Sequence, residues 1–87
     1  MSPQVAENVT WKKLGDSVVV LNLTDSTYYV LNETASVIFR SIAEKKTPEE
    51  IAAAFLAEFD CTEDQARADI AETIAYLDTE RLVCSAE

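Results

Sequence analysis

The chain contains no histidine among its 87 residues. Histidine is the usual general base near neutral pH and the commonest side-chain ligand for metal ions, so its absence excludes imidazole triads and most metal-dependent hydrolase schemes. The two cysteines, Cys61 and Cys84, are too few to hold a structural zinc ion by themselves. The sequence therefore predicts a protein without a metal centre, and an enzyme is the less favoured interpretation.

Glycine and proline are also scarce, with one glycine and two prolines in the chain. The single Gly15 leaves no glycine-rich loop that could hold a phosphate group or a nucleotide cofactor. So few breakers favour ordered elements joined by short connections. Because 87 residues that are 48% hydrophobic can enclose one modest core, we expect a single domain over residues 1–87 and no cofactor.

Basic residues are few, since 7 lysines and arginines stand against 16 aspartates and glutamates, giving a formal net charge of -9. An acidic surface repels nucleic acid. No apolar stretch reaches the roughly 20 residues that cross a bilayer, and the first residues lack the basic and apolar regions of a secretory signal. We expect a cytoplasmic protein that binds neither nucleic acid nor membrane and whose cysteines are free thiols.

The first third of the chain is rich in β-branched and aromatic residues, which predicts β-strands. Gly15-Asp16 and Thr24-Asp25-Ser26 are typical of turns. Glycine accepts unusual backbone angles, and the side chains of Asp and Ser form hydrogen bonds with the nearby backbone. Two short turns in succession indicate an antiparallel meander. The three predicted strands cover residues 9–11, 17–23 and 27–31.

The register of the second turn stays open at this point. A two-residue turn would set Leu23 opposite Tyr28, and a three-residue turn would set it opposite Tyr29. Because the third strand leads directly into a helix, we expect Tyr29 and Leu31 to point towards the core and Tyr28 and Val30 to point away.

Three helix start signals follow the strands. Asn32 is a candidate N-cap, and the pairs Thr47 with Glu50 and Thr62 with Gln65 have the spacing of capping boxes. The apolar stripe of the first helix is Val37, Ile38 and Ile42, with Ala35 and Phe39 beside it. The next two stripes are Ile51, Phe55 and Phe59, then Ala66, Ile70, Ile74 and Leu77. After the last helix, Leu82-Val83 is expected to form an apolar latch. The predicted fold class is α+β, a three-stranded antiparallel sheet followed by three helices that cover one face of it.

The segment 27–31 is a candidate binding edge, because it contains neither the proline nor the charge that usually protects an exposed strand edge. An extended peptide can add itself to such an edge as a further strand. Ordinary pairing of this strand on both sides is the alternative, and spacing alone does not decide between the two.

The third helix is a candidate second wall for the same groove. Ile70, Ala71 and Ile74 would contact the peptide if the apolar stripe is wider than the core requires, although core packing is the default for all three. Arg67 would hold a peptide carboxylate in forked geometry, and a surface pair with Glu63 or Asp64 is the more common alternative.

Two other functions fit parts of the pattern. Three helices of which the last is longest are also found in winged helix-turn-helix regulators. A recognition helix that begins Thr62-Glu63-Asp64, however, would place carboxylates next to the phosphates of DNA, which repel them. A structural module is the other alternative, in which two copies form a homodimer through the same strand edge.

The strings Val20-Leu21-Asn22-Leu23, Tyr28 to Ala35 and Ile38-Phe39, with Asp69-Ile70 further on, resemble the PqqD family (coenzyme PQQ synthesis protein D) over nearly the whole chain. The resemblance implies a winged helix-turn-helix-like fold and a non-catalytic recognition element for ribosomally made, modified peptides. The implied partners are the leader of a precursor peptide and a maturase such as a radical SAM enzyme. The implied peptide-binding residues are Thr27, Tyr28, Tyr29, Val30, Leu31, Arg67, Ile70, Ala71 and Ile74.

Two positions depart from the family pattern. Ser26 stands in the turn before the tyrosine pair, and Ala35 follows the Leu-Asn-Glu-Thr element, where the family often has glycine. Both changes are small in volume, so the fold expectation stands. They leave open whether the pathway makes pyrroloquinoline quinone, a lasso peptide or another product.

Overall fold

The computed structural model describes residues 2–86, and the side chains of residues 3–84. The chain forms two antiparallel sheets and three helices, with β3 between β2 and β4 in one sheet and β1 paired with β5 in the other. The α+β prediction is confirmed. In chain order the elements are β1 (Ser2–Val5), β2 (Val9–Leu14), β3 (Ser17–Asn22), β4 (Tyr28–Leu31), α1 (Glu33–Ala43), α2 (Pro48–Glu58), α3 (Glu63–Thr79) and β5 (Val83–Ala86).

The register between β3 and β4 differs from both predicted turns. Leu21 stands opposite Tyr28, and Leu23 has no partner in β4. The backbone N–H of Asn22 donates to the carbonyl of Thr27 at 2.7 Å, which leaves residues 23–26 in the loop. Neither the two-residue nor the three-residue turn is correct, because the pair that closes the loop is Asn22 with Thr27 and the loop between them has four residues.

Ser26 lies in this loop with a φ of 61°, in the left-handed region that favours glycine. This backbone angle gives a physical reason for the glycine that the PqqD family often has in the turn. Serine keeps the same angle in this chain at a modest conformational cost.

The predicted faces of β4 are confirmed. Leu31 is buried and Tyr29 is packed against the core, whereas Tyr28 and Val30 are each 66% exposed. On β3 the buried residues Val18, Val20 and Asn22 alternate with half-buried neighbours. The sheet therefore has one face against the helices and one face uncovered in the described part of the chain.

The three predicted helix caps are also confirmed. The side chain of Asn32 accepts the backbone N–H three residues further on at 2.9 Å. Thr47 and Glu50 form a reciprocal capping box, with distances of 2.8 and 3.2 Å. Thr62 and Gln65 form another, at 3.1 and 3.2 Å. Each box satisfies two backbone donors that a helix start would otherwise leave unpaired.

Phe39 belongs to the single cluster of buried residues and has no exposed surface. Its ring makes a T-shaped contact with Trp11 on β2, with centroids 5.6 Å apart and planes at 76°. This contact joins α1 to the sheet. The other buried apolar residues are Val18, Val20, Leu31, Ile38, Ile42, Ile51, Ala52, Phe55, Ala66, Ile70, Leu77, Leu82 and Val83.

No helix in the described chain is both long enough and apolar enough to cross a membrane.

The pairing of β1 with β5 is absent from the sequence-based prediction. Leu82 and Val83, predicted as an apolar latch after α3, are both buried, and Val83 also pairs with Val5. The carbonyl of Leu82 accepts the N–H of Ala6 at 3.1 Å. β1 has a weak sequence signal because it is four residues long and contains Pro3, which sheets tolerate only at edges and strand ends.

Candidate functional site

β4 is an edge strand, paired on one side with β3 and on its other side with no strand in residues 2–86. The Thr27 carbonyl accepts from β3, and in an antiparallel pair the N–H and C=O of alternate residues point to the same side. Tyr29 and Leu31 therefore also direct their backbone groups to β3. Tyr28 and Val30 direct theirs outwards, so the edge presents two donors and two acceptors.

Thr27 differs from the other four residues predicted on this strand. It lies just before β4, and its N–H donates to the side chain of Asp25 at 3.0 Å while its carbonyl is bonded to β3. Both of its backbone groups are engaged within the chain. The open part of the predicted segment is thus Tyr28–Leu31.

A buried serine anchors the end of this edge. Ser36 Oγ accepts the N–H of Val18 at 2.9 Å and donates to the carbonyl of Leu31 at 3.2 Å. The hydroxyl links β3, β4 and the first turns of α1, and Ser36 is 1% exposed. A polar network buried in this way is stiff, so the edge is held in position without a ligand.

A cleft of about 550 Å³, here called the β4–α3 cleft, lies between the open edge and α3. Its helical wall consists of Asp69, Glu72, Thr73 and Tyr76, which fall on one face of α3 because they are spaced by three and four residues. The strand side and the start of α1 supply Val30, Leu31, Asn32, Thr34 and Ala35. An extended segment entering this cleft would lie alongside both the backbone groups of β4 and the α3 wall.

The predicted helix residues Arg67, Ile70, Ala71 and Ile74 line a different cavity. This α2–α3 cavity has about 200 Å³ and is bounded on its other sides by Pro3, Pro48, Ile51 and Ala52. The two sets have the same spacing displaced by two residues, which on an α-helix is a rotation of roughly 200°. The structure therefore does not place these four residues in the β4–α3 cleft.

The apolar stripe of α3 explains this difference. Ile70 is 9% exposed and Ile74 is packed against the core, so the stripe covers the core and the cleft wall comes from a more polar face. Arg67 donates from Nε to Glu63 at 3.0 Å, the surface pairing that is the alternative interpretation of this side chain. Sequence reasoning missed Asp69, Glu72, Thr73 and Tyr76, whose common spacing was the available signal.

The β4–α3 cleft has an acidic wall. None of the seven basic residues of the chain lines it, and all seven lie within the described range. Asp69 and Glu72 form no ion pair in residues 2–86. The cleft therefore attracts positive charge and disfavours negative charge.

Tyr29 connects β4 to the end of α3. Its hydroxyl donates to the carboxylate of Glu80, the C-cap residue of α3, at 3.1 Å. Partial burial of the ring raises the pKa of Tyr29 above its ordinary value of 10.0, and the hydrogen bond and the negative charge of Glu80 raise the pKa further. This bond helps to fix the spacing between the strand and the helix.

The raised pKa of Tyr29 predicts a loss of stability in alkali. Below the pKa of the unfolded chain the contribution of Tyr29 is fully present, and it is lost as the pH rises through the higher pKa of the folded protein. Tyr29→Phe should therefore show a shallower fall in melting temperature than the wild type from about pH 9 to about pH 11. The control is Tyr28→Phe, because its exposed hydroxyl has no hydrogen-bond partner in the described chain. Equal slopes for the two variants would contradict the assignment.

The described residues contain no group of three histidine, cysteine, aspartate or glutamate side chains that could hold a metal ion. Cys61 is half-buried, Cys84 is exposed, and neither forms a disulfide. The chemistry of the site in residues 2–86 is therefore that of backbone hydrogen bonds, apolar contact and carboxylate charge.

Comparison with known proteins points to one family. The family described as coenzyme PQQ synthesis protein D (PqqD) matches residues 17–83. The fold is similar to that of TbiB1 in complex with the TbiA(beta) leader peptide, with a TM-score of 0.89, 27% identity and coverage of 97% of this chain and 98% of that chain. It also resembles a lasso peptide synthetase B1 complexed with the leader peptide, with a TM-score of 0.86, 19% identity and coverage of 98% and 100%. A comparison with curated protein sequences gave no match.

Proposed function

This chain belongs to the family of coenzyme PQQ synthesis protein D, and on that premise we propose that it is a recognition element for the leader segment of a ribosomally synthesised precursor peptide. The observation that carries the proposal is the open edge of β4 beside the β4–α3 cleft. The similar TbiB1 structure, which contains a leader peptide, supports the same interpretation.

Strand addition is the binding mode that the edge supports. A leader that pairs with Tyr28 and Val30 satisfies up to four outward backbone groups. At about 0.5–1.5 kcal/mol for each net hydrogen bond, these contribute about 2–6 kcal/mol. A leader that is disordered when free loses entropy on docking, so apolar contacts in the cleft must supply the remainder. We expect dissociation constants on the order of micromolar or somewhat tighter.

The two edges of the three-stranded sheet are not equivalent. β2 carries Lys12 and Lys13, and charged side chains, lysine above all, protect an exposed edge against pairing. β4 carries neither charge nor proline, and only β4 has the β4–α3 cleft beside it. This asymmetry favours β4 as the binding edge.

Catalysis belongs to a partner in this proposal. The module captures the leader and presents the rest of the precursor to a separate maturase, such as a radical SAM enzyme, in the cytoplasm. The β4–α3 cleft offers carboxylates, hydroxyls and apolar contacts, and in the described residues no hydroxyl of its lining is hydrogen-bonded to a carboxylate that would act as its base. Its acidic α3 wall is opposite in charge to what a DNA-reading helix requires.

A titration of the isotope-labelled protein with a synthetic leader peptide of its precursor tests the proposal. The amides of Tyr28 and Val30 should shift most, because their N–H groups acquire peptide acceptors. Nuclear Overhauser contacts should join the peptide to the methyl groups of Thr73 and Ala35. Contacts to the Ile70 and Ile74 methyl groups instead would place the peptide in the α2–α3 cavity. Unchanged β4 amides at saturating peptide would refute strand addition.

A further inference from the structure

The helical wall of the β4–α3 cleft has a charge arrangement that the fold itself does not need. Asp69 and Glu72 lie on adjacent turns of α3, both are exposed, and neither has an ion-pair partner in the described chain. Like charges on adjacent turns weaken a helix by a few tenths of a kcal/mol. The two carboxylates and the open edge of β4 border the same cleft.

We propose that the recognised peptide carries a lysine or arginine side chain that lies between Asp69 and Glu72, and that an acidic side chain at the same position is rejected. This inference rests on the proposed function, because it specifies the chemistry of the segment that adds to β4. Two features support it, which are the direction of the side chains in an added strand and the negative charges of Asp69 and Glu72 on the helical wall.

An added strand continues the pleat of the sheet, so every second side chain points to the helical side, as Tyr29 and Leu31 do on β4. Successive side chains on that side are about 7 Å apart along the strand. The β-carbons of residues three apart on a helix are about 5–6 Å apart. One long cationic side chain therefore reaches both carboxylates, and the next side chain on that side contacts the less polar parts of the cleft.

The composition of the cleft makes the charge preference one-sided. Its other polar lining groups are the neutral side chains of Asn32, Thr34, Thr73 and Tyr76, and none of the chain's basic residues lies there. An acidic peptide side chain would meet two like charges with no cation to offset them. A basic side chain gains two attractions, both weakened by added salt because the site is open to solvent.

A selection experiment with random peptides tests the inference and does not require the natural leader. Peptides of about ten residues, the upper length of a common strand, are displayed and selected on the immobilised full chain. The selection is repeated on the double variant Asp69→Asn/Glu72→Gln. The control is Asp64→Asn/Asp78→Asn, which changes the net charge equally on the same helix but outside the β4–α3 cleft.

We expect peptides selected on the wild type and on the control to be enriched in lysine or arginine at one position. That enrichment should be lost on the double variant. Peptides that perturb β4 amides but show no basic preference, or the same preference on all three proteins, would overturn the inference and leave the proposed function standing. A failure to select any peptide that perturbs β4 would count against both.

A double-mutant cycle then measures the interaction for one selected peptide. Replacing its basic residue by glutamine should weaken binding to the wild type roughly threefold to tenfold. The same replacement should have no effect on binding to Asp69→Asn/Glu72→Gln. The difference should shrink between about 0.05 M and about 0.5 M salt. An equal loss in both proteins would show that the basic residue contacts some other group.

Discussion

Val30→Pro is expected to weaken leader binding by roughly tenfold to hundredfold while leaving the fold intact. Proline removes the outward N–H of Val30 and places its ring where the added strand would lie. The peptide carbonyl that this N–H would satisfy is then buried without a donor. Leaving such a group unsatisfied costs about 1–3 kcal/mol, which corresponds to the expected loss of affinity.

The fold should tolerate this substitution for a geometric reason. The N–H of Val30 points away from β3, so no hydrogen bond of the sheet is lost. Proline is accepted on edge strands, and the residue before it is already extended. Circular dichroism and thermal unfolding should match the wild type, while fluorescence anisotropy with a labelled leader reports the loss of affinity.

Lys13→Pro is the matched control. Lys13 lies in β2 opposite Val18 of β3, and because backbone groups alternate in direction along a strand, its N–H points away from β3. It introduces the same ring at the other edge of the same sheet. We expect wild-type affinity for this variant. If Lys13→Pro impaired binding and Val30→Pro did not, the peptide would be using β2, and the assignment of the binding edge would be wrong.

Phe39→Ala is expected to lower the free energy of unfolding by about 3–5 kcal/mol. Phe39 has no exposed surface and joins α1 to the sheet through Trp11, so truncation leaves a cavity where two layers meet. A domain of this kind has only about 5–15 kcal/mol in total, so the variant should be partly unfolded near physiological temperature. Guanidinium unfolding followed by circular dichroism measures the change.

Phe59→Ala is the comparison for this prediction. Phe59 is the C-cap residue of α2, is half-buried, and packs against Phe55 with ring centroids 4.8 Å apart and planes at 51°. The same substitution should therefore cost clearly less there. Phe39→Ala should also weaken leader binding, because it loosens the packing of α1, which borders the β4–α3 cleft, against the sheet. Val30→Pro should instead weaken binding at full stability. Equal losses of stability for the two phenylalanines would mean that the core is not centred on Phe39.

The candidate site could be predicted from the sequence on one side only. The absence of charge and proline made β4 a candidate edge, and its outward residues Tyr28 and Val30 were predicted, but residue types left pairing on both sides open. The strand order of the fold decided it. The helical wall could not be read in this way. The apolar stripe through Ile70 and Ile74 predicted a binding wall on the face that packs against the core, whereas the face that borders β4 is polar.

The sequence alone determined three helix caps, three strands in meander order and the absence of imidazole chemistry. These depend on residues a few positions apart, whose side chains bond to their own backbone or repeat with a helical or strand period. Only the tertiary structure decided the loop of residues 23–26, the pairing of β1 with β5 and the face of α3 that borders the cleft. Each of these depends on how distant segments pack, since the rotation of a helix against a sheet is set by the shape of the whole core.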